Sequence, residues 1–477
     1  MAFENYKQQR TNHWNTISKK RKKWRGLGNY YHKRIIEIYQ DIIPIGSNVL
    51  EIGCAEGNLL AAVKPKFGVG IDFSEEMINT AKEKYPDLNF YNLDAHNCSD
   101  LHSKFDFIIL SDLINDLWDI QKVLQEVYLL CKPNTRIILN NYSRVWQIPL
   151  TIAQSTNLAT PTLQQNWITP SDIISLLYLT NFEKLKNRIE ILFPFYFPLL
   201  TTIFNKFLVR FPVFSLFALT NIIIARPLGL TDNAPNENPL VSVVVPARNE
   251  AGNIKNIIDR IPEMGSGTEI IFVEGGSKDE TYETIKHYLE SNYRNRNMVL
   301  YKQHGKGKAD AVQLGFKKAS GDILMILDAD LTVPPEDLPR FYDALVDNKG
   351  EFINGVRLIY PMEKEAMRFL NFLGNKFFSM AFTWLLGQPI KDTLCGTKVL
   401  WKADYEKIAK NRSFFGDFDP FGDFDLIFGA AKLNLKLLDI PIRYRDRTYG
   451  STNISRFSHG LLLLKMVWVA AKRLKFR

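Results

Sequence analysis

Residues 321–338, GDILMILDADLTVPPEDL, decide how half of the chain folds. Five apolar residues, 323–327, run straight into Asp328, Ala329 and Asp330, and the chain then turns through Pro334 and Pro335. A short continuous apolar run bounded by turn residues reads as a strand buried on both faces, the kind found in a helix-covered parallel sheet. Its end delivers two carboxylates at i and i+2, which on an ideal strand project to the same side. Like charges in close reach repel unless a cation or a donor network sits between them. Two solvated turn acids are the alternative reading, and the neighbouring sequence weighs against it.

Other strand ends of the same half carry polar groups too. VSVVVPARNEAGNIKNII (241–258) leaves a buried strand through Pro246 into Arg248, Asn249 and Glu250. EIIFVEGGSKDETYETI (269–285) ends its strand in Glu274 and a Gly275-Gly276 turn, with Asp279 and Glu280 at a helix start. HGKGKADAVQLGFKKASGD (304–322) offers Lys306 and Lys308 on a glycine-loosened loop ahead of a helix, without the spacing of a Walker loop. Strand ends, cations and an Asp-x-Asp together describe a pocket for a nucleoside diphosphate. Its hard oxygen ligands, Asp328 and Asp330, favour Mg²⁺ or Mn²⁺.

The amino-terminal half repeats the strand–helix alternation. NVLEIG, FGVGID, LNFYNLD, FDFIILSD and TRIILNN are apolar runs, each ending at a polar or acidic residue. The expected class is therefore α/β, with two Rossmann-like domains built on mainly parallel sheets. The polar, proline-containing LTDNAPNENPL (230–240) reads as the connection. The expected division is residues 1–230 with an apolar insertion at about 193–219, a linker at 231–238, and a second domain at 239–477.

NVLEIGCAEGNLLAAV (48–63) is a strand, a glycine loop and a helix start. Gly53 and Gly57 let the backbone turn sharply beside a ligand. Asp72, about 20 residues beyond the loop, can accept both ribose hydroxyl hydrogens, and Asp94 in NLDAHN is placed to read an adenine amino group. Glu51 before the first glycine, and Asn58 where a third glycine would stand, fit a dinucleotide pyrophosphate loop poorly. The order resembles the class I S-adenosylmethionine-dependent methyltransferases, from about residue 30 to 227. By that resemblance Glu51, Gly53, Gly57, Asp72 and Asp94 bind the cofactor, and FEKLKNRIEIL and NIIIARP are the last two strands. The apolar segment between those strands is then a helical insertion facing membrane or substrate. Methyl transfer needs in-line positioning and, for some acceptors, a base, for which His96, Asp112 and Asp116 are the candidates. The methyl acceptor is not readable.

The second half resembles the inverting GT-A-fold glycosyltransferases of the family that contains dolichyl-phosphate mannose and glucose synthases. VVPARNE, VEGGSKDET, GKGKADAVQLGF, SGDILMILDADLTVPPEDL, DTLCGTK, GDFDLIFGAAKLNLKLLDIPIRY and RTYGSTNISRF follow the family's order between residues 239 and about 464. The resemblance implies that Pro246, Arg248, Glu250, Glu274 and Lys306 contact the nucleotide, and that Asp328 and Asp330 serve ribose and metal. Glu274-Gly275-Gly276-Ser277 stands where Asp-Asp-Gly-Ser is usual, so the base and donor sugar stay open. Gly450-Ser451-Thr452-Asn453 lacks the usual lysine, while Arg443, Arg445 and Arg447 cluster nearby. No Q-x-x-R-W is present, which argues against a processive polysaccharide synthase.

Two acceptors remain open. A phosphate monoester such as polyprenyl phosphate is already anionic and needs arginines, with Arg447 the candidate. A hydroxyl of a glycan or lipid-linked sugar needs a base, for which FGDFDPFGDFDL (415–426) offers Asp417, Asp419, Asp423 and Asp425.

Net charge of +9 across 477 residues points to anionic partners, here a nucleotide-sugar donor and a membrane surface. KKRKKWR (19–25) reads as a solvated or membrane-facing patch, because no nucleic-acid module accompanies it. LLLLKMVWVAAKRLKF (461–476) reads as an interfacial helix with cations at its end. Four scattered cysteines indicate neither zinc nor a disulfide framework. With no apolar signal core in the first residues, the expected location is the cytoplasmic face of a membrane. The reading is a bifunctional methyltransferase and glycosyltransferase. Its rivals are an amino-terminal half that only binds, a scaffold that holds nucleotide-sugar without turnover, and an RNA methyltransferase.

Overall fold

A computed structural model of the chain describes residues 2–21, 29–156, 158–230, 238–357, 359, 369–412, 422–445, 447, 449 and 456–476. The chain divides after residue 232 into two compact units. Each is built on one seven-stranded mixed sheet.

The first sheet has strands β1 (Asn48–Ile52), β2 (Phe67–Asp72), β3 (Asn89–Asn92), β4 (Phe105–Leu110), β5 (Cys131–Tyr142), β6 (Phe182–Glu190) and β7 (Thr220–Pro227). Their order is 3-2-1-4-5-7-6, with β7 antiparallel to both neighbours and the rest parallel. Alternate side chains build two cores. Leu50, Ile52, Ile108 and Leu110 pack on one face, and Val49, Phe107 and Ile109 on the other. This is the pleat's period of two with helices covering both sides. Near the start of β5, Thr135 ties the strand to β4. Its hydroxyl donates to the Phe105 carbonyl at 2.6 Å and accepts from the Lys132 amide at 2.7 Å, across a β-bulge in the β4–β5 register.

The second sheet runs β8 (Val241–Ala247), β9 (Thr268–Glu274), β10 (Met298–Lys302), β11 (Ile323–Ile326), β12 (Phe352–Val356), β13 (Lys398–Trp401) and β14 (Leu437–Pro441). The order is 10-9-8-11-13-12-14, with β13 antiparallel between β11 and β12. Val244, Leu324 and Ile326 feed one core; Val243, Val245, Ile323 and Met325 feed the other. The opening stretch is thus a central strand buried on both faces. In both sheets the strand order reverses beside the first strand, between β1 and β4 and between β8 and β11, and open α/β sheets bind ligands at that crevice.

The helix at Arg456–Ala470 buries Leu463, Met466 and Ala470 in the second unit's core, so part of the apolar face expected to meet lipid packs on protein. Leu464 and Trp468 stay exposed. No described helix is long and apolar enough to cross a membrane. All four cysteines are buried and unpaired.

Candidate active sites

In the first unit the loop after β1 is shaped by two left-handed glycines, Gly53 (φ 73°) and Gly57 (φ 74°). A Cβ at Gly57 would stand 2.6 Å from the Phe90 ring, so a side chain there collides as well as strains. Glu51 is buried under this loop and accepts the Leu60 amide at 2.9 Å. Burial pushes its carboxyl up to about 8, with the charge of Asp72 adding to the effect. Asp72, at the end of β2, accepts the amides of Ala55 (3.0 Å) and Ser74 (2.9 Å), locking the glycine loop to the next turn. Its carboxyl is raised to about 6, chiefly by burial. Asp94, two residues beyond β3, accepts from the His96 amide at 3.0 Å and pairs with Lys7 at 3.1 Å.

Lys7 belongs to an element that sequence reading left without a role. The helix Ala2–Arg21 lays Phe3, Tyr6, Lys7 and Arg10 along the cavity lined by Gly53, Asp72, Asp94 and Leu113. Arg10 and Trp14 anchor it on Asp116, at 3.0 Å and 2.9 Å. The signal was present as an i, i+3, i+4, i+7 stripe of aromatic and basic residues.

Of the three candidate bases, Asp116 is held by that helix. His96 has both ring nitrogens engaged, Nδ1 with Asp94 at 2.8 Å and Nε2 accepting from the Asp119 amide at 3.2 Å. Asp112 sits at a positive φ of 54° beyond β4 and accepts from Tyr31 (2.7 Å) and Asn140 (2.5 Å). Burial raises its carboxyl to about 6, so near neutral pH it is an oriented acceptor for a proton.

A glycine cradle with a carboxylate at the next strand end fits the nucleoside and methionine ends of S-adenosylmethionine. Because Asp72 is ionised above pH 6 and protonated below, affinity for that cofactor is expected to fall about tenfold per pH unit once pH drops under 6. Calorimetric titrations between pH 5 and 7.5 check this, and an affinity constant across that range contradicts it.

In the second unit, loops from β8, β9 and β11 meet at the crevice. The Asn249 amide donates to Ser277 Oγ at 3.1 Å and the Lys278 amide to Asn249 Oδ1 at 2.7 Å, stitching the first two loops together. Glu250 is buried, receives Asn253 Nδ2 at 2.8 Å, and is pushed up to about 7 by burial, with Asp330 contributing. Glu274 is buried too, one oxygen closing the Gly275-Gly276 turn on the Ser277 amide at 2.5 Å. Pro246 is half-buried, Arg248 exposed, and Lys306 exposed on its loop.

β11 ends at Ile326, and the turn after it reaches a positive φ at Leu331, so the strand alternation no longer applies. Asp328 pairs with Lys308 at 2.5 Å. Burial pulls its carboxyl up, but Lys308 outweighs that and holds it below the ordinary range. Asp330 accepts from the Thr332 amide (3.1 Å) and hydroxyl (2.8 Å) and pairs with Arg447 at 2.6 Å. Lys308, rather than Lys306, is therefore the lysine brought to the acids. Among the described residues no group of three or more His, Cys, Asp or Glu could cage a metal. Mg²⁺ and Mn²⁺ sites commonly use one or two carboxylates completed by substrate phosphate, which these acids fit.

The DTLCGTK segment supports Asp328 from the other side. An ideal Cβ on Gly396 would overlap the Asp328 carboxylate and stand 2.5 Å from Lys308 Nζ. Gly396→Ala is therefore expected to displace the ion pair and, if the crevice transfers sugar as its resemblance implies, to lower that transfer on the order of a hundredfold. Steady-state kinetics beside a melting curve check it: near-normal turnover in a folded variant contradicts the placement. Asp392 clamps Arg357 through two bonds, 2.7 and 2.9 Å, and Lys398, fully buried, lies 3.2 Å from Asp423. Asp425 pairs with Arg412 at 3.2 Å. Asp417, Asp419 and residues 450–453 lie outside the described residues, as does 22–25 of the basic stretch.

The two units each contain one match to a known family. Residues 45–181 match the family model described as a methyltransferase domain, and residues 242–408 match glycosyl transferase family 2. Among curated proteins, the chain is similar to a dolichol-phosphate mannosyltransferase of Pyrococcus furiosus, 33% identical over 218 residues, covering 45% of this chain and 59% of that one. A dolichol-phosphate mannosyltransferase of Saccharomyces cerevisiae is 37% identical over 112 residues, 22% of this chain and 41% of that one. The UDP-N-acetylglucosamine–dolichyl-phosphate N-acetylglucosaminyltransferase of Methanococcus voltae is 27% identical over 244 residues, 48% of this chain and 96% of that one. The chain thus spans about half the length of the first two relatives. It carries a methyltransferase domain and a glycosyl transferase family 2 domain, both enzyme domains.

Proposed function

We propose that the chain is a bifunctional enzyme whose second domain transfers a sugar from a nucleotide-sugar to a polyprenyl phosphate, with a divalent metal, and whose first domain transfers a methyl group from S-adenosylmethionine. The observation that carries the glycosyl reading is the Asp330–Arg447 pair at the β8–β11 crevice. Asp330, with Asp328, would hold Mg²⁺ or Mn²⁺, which when bound neutralises a diphosphate leaving group. Arg447, brought to the same carboxylate, is placed to receive a second anion beside it, and an acceptor phosphate needs that cation and no general base. Pro246, Arg248, Glu250, Glu274 and Lys306 surround the nucleotide end in this reading.

The relatives named for dolichyl phosphate support the acceptor class. The alternative, a hydroxyl acceptor, has its described candidate bases Asp423 and Asp425 already in ion pairs. That favours the phosphate. In the first domain Glu51, Gly53, Gly57, Asp72 and Asp94 hold the cofactor, and Asp112, oriented by Tyr31 and Asn140, takes the proton of a hydroxyl or amine acceptor. Work at the cytoplasmic face of a membrane follows from a lipid acceptor and a soluble donor.

The test is transfer from a panel of UDP- and GDP-sugars to polyprenyl phosphate, with Mn²⁺ or with EDTA. Metal-dependent label in the lipid phase is the expected result. Donor hydrolysis without lipid product overturns the acceptor and turns attention to residues 415–426.

A further inference from the structure

The segment joining β6 to β7 is folded inside out. Three of its polar side chains point inward. Thr201, Asn205 and Arg210 are buried, Asn205 bonding both the amide (2.7 Å) and the carbonyl (2.6 Å) of Phe193, and Thr201 bonding the Phe195 carbonyl at 3.0 Å. Arg210 grips the fully buried Glu190 through two bonds of 2.8 and 3.1 Å. Ile191, Val209 and Leu219 are buried, but most of its large apolar side chains are exposed. Tyr196 (70% exposed), Leu199 (74%), Val213 (68%) and Leu216 (69%) are the extremes, and Phe197, Phe207, Phe211, Phe214 and Phe217 are exposed with them. Trp146 donates to the Phe217 carbonyl at 2.8 Å, so the next helix, Gln147–Ser155, with exposed Ile148 and Ile152, extends the same patch.

Soluble surfaces rarely expose so many contiguous large apolar groups, and a fold that spends its hydrogen bonds on turning them outward is suited to an apolar medium. Charge selects which one. Residues 191–219 and 143–156 contain no Asp or Glu, only Arg144, Lys206 and Arg210, and exposed Arg144 and half-buried Lys206 complement an anionic lipid headgroup. Proline-broken turns rich in phenylalanine, with Tyr196 among them, also suit the headgroup boundary better than a flat contact between two copies.

We propose that this patch docks the methyltransferase unit on an anionic bilayer. Register places the patch at the working end of the sheet, because Tyr142 of β5 and Glu190 of β6 both pair with Thr220, where the segment ends. Asn205 also reaches Tyr30 at 3.0 Å, next to the Tyr31 that holds Asp112. The methyl acceptor is then a membrane-borne amphiphile, a step that rests on the methyl-transfer reading, whereas docking does not.

Because the native cysteines are buried, a single introduced one is selectively labelled in the full chain. A polarity-sensitive dye at Val213→Cys is expected to shift blue on vesicles of phosphatidylcholine with phosphatidylglycerol, and to be quenched by brominated acyl chains. The same dye at Ile45→Cys, 78% exposed at the opposite end of the sheet, is expected to do neither. Phe214→Ser with Leu216→Ser should weaken vesicle partitioning at least about tenfold. Docking is overturned by an unshifted Val213→Cys probe, by equal responses at both sites, or by a concentration-dependent dimer that hides the probe without lipid. Vesicle docking with no methyl incorporated into lipid would retain the surface and reject the acceptor.

Discussion

Asp330→Ala is expected to lower kcat/KM for sugar transfer on the order of a thousandfold while leaving the fold intact. The residue lies in a loop beyond β11, contacts Thr332 and Arg447, and contributes nothing to either apolar core of its unit. On the proposed reading its removal would take away a negative ligand for the divalent ion, and it breaks the ion pair with Arg447. One preorganised electrostatic group is commonly worth about 100- to 1,000-fold, and the proposed site would lose its metal ligand and the Arg447 pair together. Asp330→Asn, which keeps the size, should fail almost as badly. Donor turnover at saturating Mn²⁺, beside an unchanged melting temperature, checks it, and a folded variant with more than about a tenth of the activity removes Asp330 from the metal.

The second large effect belongs to the other unit. Asp72→Ala should weaken S-adenosylmethionine binding about a hundredfold or more, since two hydrogen bonds to a charged acceptor are lost and each is worth about 1.5–3 kcal/mol. The loss has a second source, because Asp72 also holds the Ala55 and Ser74 amides and hence the glycine loop. Asp72→Asn keeps the size and should recover part of the loop effect without the charge. Sugar transfer by the same variant should be unchanged. Calorimetry reads this directly, and a Kd within about threefold of wild type contradicts the assignment of that pocket.

Strand ends were the most legible part of the sequence. Buried strands announce themselves as apolar runs, and both crevices lie where such runs meet Gly, Asp or Glu. Asp72 and Asp330 could therefore be placed at or just beyond strand ends from the chain alone, and that is where they lie. Side-chain partnership was not legible, because it depends on which loops fold over which. The lysine that reaches Asp328 comes from the start of the helix Lys308–Lys318 rather than from the glycine loop before it. Gly396 looked like one more glycine, and its reason is the carboxylate that occupies the place of its side chain. The helix Ala2–Arg21 carried a visible stripe, but nothing local says that Asp94 and Asp116 would be its counterparts. The phenylalanines of 191–219 showed that the segment was apolar and could not show that Thr201, Asn205 and Arg210 would be buried while most of the phenylalanines stay exposed.

The most direct test of two donor sites in one chain is a sequential calorimetric titration of the full protein, S-adenosylmethionine first and then UDP or GDP with Mn²⁺. One equivalent of each ligand is the predicted result, with Asp72→Ala abolishing only the first and Asp330→Ala only the metal-dependent second. Absence of either binding event, or loss of both from a single substitution, would contradict the account.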